Sequence, residues 1–284
     1  MIAKIFVFII LVLVLAYNAT VAYVDANMAA RLQERPTYNE CHKIWAARGL
    51  YETRAEQNSI AAMQRAFGLG AHGAEVDFHY DIQMNRFIIS HDHPKKDKEG
   101  NYIYPDKGEG VLTLETLLKA VGTGHYFWLD YKNLDHLSNA QTQAAIARLL
   151  EITDFDNIRQ RLYIEGSNPL LLPMYTDAGF RTILGIHPLP GSNPLSSIVI
   201  NGYKIAYYFK NITALAMPYG KKVNDPIYDT TAQKNLKDIP VFIFHTPDDE
   251  PTLRSLVQMK TVRVVLVGKD LSINRYAIDA CKEQ

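Results

Sequence analysis

The sequence predicts a (β/α)8 TIM barrel preceded by an N-terminal hydrophobic segment, and three observations predict it. Short runs rich in branched and aromatic residues recur along the chain, helical stretches separate most of them, and roughly eight such units fit in about 250 residues. With 284 residues, 48% of them hydrophobic, the chain can fill a large core. Its formal net charge is zero, which argues against nucleic acid as a partner, because affinity for a phosphate backbone needs a basic face. No internal repeat or low-complexity tract competes with the barrel.

Residues 1–28 belong to a different solvent. Lys4 precedes an apolar run from Ile5 to Tyr17 that continues, interrupted by Asn18 and Thr20, to Val24. At about 20 residues the run is long enough to span a bilayer, while Thr20-Val21-Ala22 offers small residues for signal-peptide cleavage. Both readings export the barrel, drawn over residues 38–284, either anchored and facing the periplasm or exterior, or secreted. Being apolar on every side, the run does not read as a surface helix of the barrel. Cys41 lies just before the first strand and Cys281 in a predicted last helix; a closed barrel brings those two ends together, so a disulfide and two separate thiols are both open.

In chain order the barrel begins with a strand at Lys43 to Ala46 and a helix at Ser59 to Leu69. Strands follow at Ala74 to Phe78 and Phe87 to Ser90, then a polar loop at Lys95 to Gly110 containing Lys95, Lys96, Lys98 and Lys107, read as solvated surface. The helix Leu114 to Val121 leads to a strand at Tyr126 to Leu129, and Asn139 to Leu150 to a strand at Leu162 to Glu165. After Leu170 to Ala178 come strands at Thr182 to Ile186 and Ala214 to Met217. Thr231 to Leu236, a strand at Val241 to Phe244, Thr252 to Met259 and a strand at Val262 to Val267 complete the series. Each strand is called on its branched and aromatic content.

Two of these strands carry, on or just past their ends, charge where apolar residues would be cheaper. Glu75 and Asp77, and likewise Asp130 and Lys132, lie two apart and so share a face of their strands. Burying such charges is costly unless they pair or hold a cation. Barrel chemistry sits at the C-terminal ends of the strands, and Arg48, Glu75, Asp77, His91, Asp130 and Lys132 all fall at or just beyond such ends. Read from these residues alone, the cluster is either a cation site or a buried ion-pair network with no metal.

Five short motifs in this order are similar to those of the glycerophosphodiester phosphodiesterase family: Ala47-Arg48-Gly49, Ala55-Glu56-Gln57-Asn58-Ser59, Glu75-Val76-Asp77, His91-Asp92 and Asp130-Tyr131-Lys132. His245-Thr246-Pro247-Asp248 and Val267-Gly268-Lys269-Asp270 extend the resemblance towards the C-terminus. The resemblance implies a barrel with one divalent ion held by Glu75, Asp77 and Asp130, with Arg48 and Lys132 beside the phosphate and His91 moving the proton. All-oxygen ligation points to Mg2+ or Ca2+. The chain departs from the family pattern in having Ala47 where a first catalytic histidine stands, Asp130 where a glutamate stands, and only the loop Pro94 to Gly110 in place of a small insertion.

His245 and His79 are the first candidates to supply the missing imidazole, ahead of His93 and His187. The implied function is hydrolysis of glycerophosphodiesters or lipid head-group phosphodiesters, with a phosphodiester small molecule or phospholipid head group as partner and the membrane engaged through the N-terminal segment. A head-group-binding protein on the same barrel is the alternative. A phospholipase-D-like hydrolase generally uses two histidines as well, so Ala47 does not favour it. The loops Pro188 to Pro194 and Tyr219 to Tyr228 would set specificity.

Overall fold

The computed structural model describes residues 2–104, 110–220, 226–268, 275–278 and 281. Lys107, Lys269, Asp270 and the 221–225 part of the Tyr219-to-Tyr228 loop lie outside the described residues. In chain order the strands are β1 Ile44–Ala47, β2 Gly73–Asp81, β3 Arg86–Ile89, β4 Lys95–Lys96, β5 Tyr102–Ile103 and β6 Tyr126–Tyr131. They continue with β7 Leu162–Gly166, β8 Arg181–Gly185, β9 Ala214–Pro218, β10 Val241–Phe244 and β11 Val262–Val267. The α-helices are α1 Ile2–Gln33, α2 Ile60–Gly68, α3 Leu114–Val121, α4 Asn139–Ile152, α5 Leu172–Asp177, α6 Ser196–Phe209, α7 Thr230–Leu236 and α8 Glu250–Gln258.

Parallel pairing runs β1-β11-β10-β9-β8-β7-β6-β2, and β2 returns to β1, so the sheet closes as a barrel. Two packed layers hold it. Side chains such as Trp45, Trp128, Tyr163, Phe242 and Val264 fill the interior, while Leu, Ile and Val from the outer strand faces pack under the helices. Gly73 gives Trp45 its place: a Cβ there would lie 2.5 Å from the indole ring. Most helices start on a side-chain cap, for example Ser138, which exchanges bonds with Gln141 in a capping box, and Asp229, which accepts from Thr231 and Ala232.

Three sequence expectations are corrected. The strand at Phe87 to Ser90 does not open a βα unit; β3 pairs antiparallel with β2, Phe78 opposite Ile89 and Asp81 opposite Arg86. Asp81 makes that hairpin by accepting the backbone N–H groups of Gln83 and Met84, a local bond that strand periodicity does not encode. Helix α6 has no counterpart among the expected helices; Ile198, Val199, Ile200 and Gly202 are weak helix formers, and packing supplies what propensity lacks. Cys281 lies in a turn beyond a 3-10 turn at Arg275–Ala277, not in a helix.

Cys41 and Cys281 form a disulfide, with Cα atoms 5.0 Å apart and a sequence separation of 240. A loop of that length takes much entropy from the unfolded chain. Replacing Cys41 by Ser is expected to cost about 3 kcal/mol, seen as a fall in Tm of roughly 10 °C, and reduction of the wild type should reproduce it.

Helix α1 is long and apolar enough to cross a membrane, with mean hydropathy 2.6 in a window of which none is buried. Its C-terminal half is docked on the barrel. Val24 and Met28 are buried, Asp25 pairs with Lys204 of α6 at 2.7 Å, and Arg35 donates to the carbonyls of Tyr207 at 2.8 Å and Ile212 at 2.6 Å. The last carbonyls of α6, which have no partner within their own helix, are thus taken up by α1 and the residues after it.

Candidate active site

Adjacent strands β1, β2, β6 and β7 bring the charged residues together. Pairing places Ala47 beside Glu75, Asp77 beside Asp130, and Asp130 beside Glu165. Glu75 and Asp77 are buried on the inner face of β2. Asp77 is the hub. Arg48 Nε lies 2.9 Å from its Oδ2 and Lys132 Nζ 2.6 Å from its Oδ1, while Asn58 Nδ2 donates to Oδ2 at 2.8 Å. Lys132 also pairs with Asp130. Asn58 in turn accepts the Asp77 backbone N–H at 3.1 Å, so its side chain clamps this point of the strand from both sides.

The segment after β1 is shaped for this contact. Arg48 (φ 59°) and Asn58 (φ 58°) both occupy the left-handed region, which is costly for residues with a Cβ and is held by surrounding bonds. The Arg48 backbone N–H donates to the Glu75 carboxylate at 3.0 Å, and Asn58 N–H donates to the Arg48 carbonyl at 3.0 Å. Gln57 accepts from the Arg48 guanidinium at 3.1 Å. Arg48 is therefore fixed at both its backbone and its head group.

Charge balance shows what the site lacks. Four carboxyls, Glu75, Asp77, Asp130 and Glu165, face two fixed cations, Arg48 and Lys132. Burial, then Asp77 and Asp130, push Glu75 well above the usual carboxylate range. Burial raises Asp130 too, with Lys132 opposing and Asp77 adding to the rise. Burial also acts upward on Asp77, but Lys132 and Arg48 outweigh it and hold that carboxyl below its ordinary value. Lys132 is pulled down by burial and more strongly up by Asp130, Asp77 and Glu75, so it stays charged. Without a metal, protons make up the deficit.

A divalent cation fits the same deficit. Oxygen atoms of Glu75, Asp77 and Asp130 lie within 4.8 Å of one another, a spacing suited to sharing one ion. The linkage has a definite sign. Glu75, Asp130 and Glu165 bind protons more tightly in the folded state, so their contribution to stability is full at low pH and is lost as pH rises through their raised values, about 8 for Glu165. Metal-free protein is expected to lose thermal stability as pH rises from about 5 to about 8. Saturating Mg2+ or Ca2+ should flatten that loss, as thermal melts across the range would show, and cation affinity should tighten with pH.

Glu165 is a site residue that the sequence reading passed over. Burial, then the neighbouring Asp130 charge, push it up to about 8. Trp128 Nε1 donates to it at 2.5 Å, and Gly185 leaves its room, since a Cβ there would lie 2.6 Å from Glu165 Oε1. The available signal was an acidic residue at the C-terminal end of a barrel strand, the same one that marks Asp130.

The histidines are spread around the mouth. His91 is half-exposed on the segment after β3, with Nδ1 3.0 Å from Asp92, which also pairs with Arg54 at 2.9 Å. Ser90 N–H donates to the Asp77 carbonyl at 3.1 Å, tying that segment to the hub strand. His79 is buried on β2, its ring against His93 at 5.2 Å and Tyr104 at 6.1 Å. His245, with φ 51°, is exposed just past β10, its ring 4.8 Å from that of Phe244, which also lies 6.0 Å from the His187 ring.

No protein-family model matches the chain, and no curated protein matches it. Solved structures do. A glycerophosphodiester phosphodiesterase from Parabacteroides distasonis aligns with a TM-score of 0.60 at 17% identity, over 85% of this chain and 98% of that one. The fold is that of the glycerophosphodiester phosphodiesterases. An Oleispira antarctica phosphodiesterase in complex with the product sn-glycerol-3-phosphate aligns at 0.54 and 14% identity, over 84% and 94% of the two chains. A putative glycerophosphoryl diester phosphodiesterase from Silicibacter pomeroyi aligns at 0.57 and 12%, over 87% and 96%. The barrel matches these enzymes over nearly their full lengths.

Proposed function

We propose that the protein is an exported, membrane-anchored phosphodiesterase that hydrolyses glycerophosphodiesters or lipid head-group phosphodiesters with one divalent cation, Mg2+ or Ca2+. The observation that carries this reading is the convergence of Glu75, Asp77 and Asp130 with Arg48 and Lys132 inside a barrel of glycerophosphodiester phosphodiesterase fold. A cation bound to the three carboxylates would neutralise nonbridging phosphate oxygens. Arg48, braced by Glu75, Asp77 and Gln57, orients the phosphate, and Lys132 adds a point charge beside it. His91, steadied by Asp92, carries the proton. The sn-glycerol-3-phosphate bound to the Oleispira antarctica enzyme supports a ligand of this class. His245 and His79 stand by as second proton carriers, and α1 supplies the anchor.

Ala47 favours a second reading, a head-group-binding protein, because a methyl group moves no proton and its strand neighbour is Glu75 itself. Full-length protein in detergent, assayed on a generic phosphodiester with Mg2+, Ca2+ or Mn2+, separates the two. Turnover with at least one ion supports the enzyme. Inertness with every ion, while a phosphorylated ligand still raises Tm, supports the binder. Ala47→His is expected to raise turnover by about a hundredfold if the second proton carrier is what limits the rate.

A further inference from the structure

We infer that, once the Cys41–Cys281 bond is reduced, its two sulfurs join His42 and His72 at the base of the barrel in a tetrahedral zinc site, so that a metal ion takes over the closure made by the disulfide. The inference is independent of the phosphodiesterase reading.

Segments far apart in the chain meet at this base. His42 lies two residues before β1, His72 one residue before β2, and Tyr126 opens β6, while Cys281 follows the 3-10 turn at Arg275–Ala277. They gather at the N-terminal ends of the strands, away from the mouth where barrel chemistry sits. The ligand atoms of Cys41, His42 and Cys281 lie within 4.8 Å of one another, and all three residues are half-buried. His72 adds a fourth donor. Its ring centre is 4.5 Å from that of His42, and two imidazoles that each reach one zinc ion at about 2.0–2.1 Å have centres roughly 5 Å apart.

Hydrogen bonds already orient His72 as a ligand. Its Nδ1 lies 2.9 Å from Glu40 Oε2 and 3.2 Å from the Tyr38 hydroxyl. That hydroxyl gives its one proton to the His42 carbonyl at 2.7 Å, and a carboxylate only accepts, so His72 Nδ1 carries the hydrogen. The lone pair of the neutral ring is then on Nε2. Glu40 is itself held by the Tyr126 hydroxyl, and the Tyr126 N–H donates to the His72 carbonyl at 3.1 Å. A carboxylate that fixes one imidazole nitrogen while the other coordinates is the arrangement used by metal-binding histidines.

A disulfide needs none of this. Its bond is complete with two sulfurs, whereas two sulfurs and two imidazole nitrogens around one point are the donor set of tetrahedral zinc. Reduction draws two electrons and two protons from a dithiol, whose own sulfurs join as a disulfide; the Cys41–Cys281 bond breaks and each sulfur takes up a proton. Zn2+ then displaces both protons and binds the two thiolates. It closes the same loop, whose ends are 240 residues apart, and ties in the start of β2 through His72.

The test uses the full chain in detergent, with Mg2+ in excess to occupy the mouth carboxylates. A phosphine opens the disulfide, becoming its oxide with oxygen from water, and is removed under argon. Cobalt(II), the spectroscopic stand-in for zinc, is then titrated in. Reduced protein is expected to bind one cobalt per chain, with a thiolate-to-cobalt charge-transfer band and the visible bands of a tetrahedral ion, all abolished by Zn2+. Oxidised protein should show no charge-transfer band. Zn2+ should also restore most of the Tm lost on reduction, because it binds the folded arrangement. Glu40→Gln is expected to weaken cobalt binding about 10–100-fold, and His42→Ala or His72→Ala by at least as much, each in protein whose melt shows it folded. Absence of the charge-transfer band in reduced wild type overturns the site, whatever the variants do. A band of unchanged affinity in both histidine variants overturns it equally, because the sulfurs alone would then hold the ion.

Discussion

Asp77→Ala is expected to abolish divalent-cation binding and to destabilise the barrel by about 3–5 kcal/mol, the cost of removing one partner from a buried ion pair. Asp77 contacts Arg48, Lys132 and Asn58 at once, so its loss leaves two cations and an amide facing a void. Part of the cost returns, because Glu75 and Asp130 both lose a negative neighbour and ionise more readily. Isothermal titration with Mg2+ or Ca2+ checks the first effect and urea denaturation the second. Asp77→Asn, which keeps the shape, should lose the cation yet keep more of the stability. Equal cation affinity in wild type and Asp77→Ala would remove this carboxylate from the site.

The second large effect is kinetic. His91→Ala is expected to lower kcat by about 10²–10⁴-fold, the usual range for removing a general acid or base. Folding should be spared, because the ring is half-exposed and tied to Asp92, itself on the surface. Steady-state kinetics beside a thermal melt checks both: a large fall in kcat with an unchanged Tm fits proton transfer. Unchanged kcat would transfer the role to another group, the raised Glu165 carboxyl or His245.

Much of this was legible in the sequence, for reasons that can be named. The inner strands read clearly because Phe127, Leu129, Ile164, Ile183, Leu215 and Val264 are all buried and are the residue types strands favour. The carboxylate hub read clearly because charges two apart on such strands conflict with burial unless they pair or hold a cation, and the pairing with Arg48 and Lys132 is what the structure shows. What failed to show depended on distant or very local partners. Helix α6 is supported by Asp25, Arg31 and Arg35, more than 170 residues earlier in the chain. The hairpin direction of β3 lies in two bonds to Asp81. Glu165 stands alone at the end of its strand, with no second charge two residues away to mark it, and its tie to Asp130 runs across the sheet and not along the sequence.

That α1 packs against α6 also bears on how the protein is handled. Truncation near residue 29 would remove Val24, Asp25 and Met28 from their contacts and expose Lys204, whose side chain is 4% accessible when paired. The full chain keeps these contacts, and a chain truncated there does not.

The most direct test is phosphorus NMR of a glycerophosphodiester incubated with the full-length protein, first with Mg2+ or Ca2+ and then with excess chelator. A carboxylate-held cation and a phosphate gripped by Arg48 and Lys132 predict conversion of the diester signal to monoester with metal, arrested by chelation. Conversion at the same rate under chelator, or none with any divalent ion, would contradict the account.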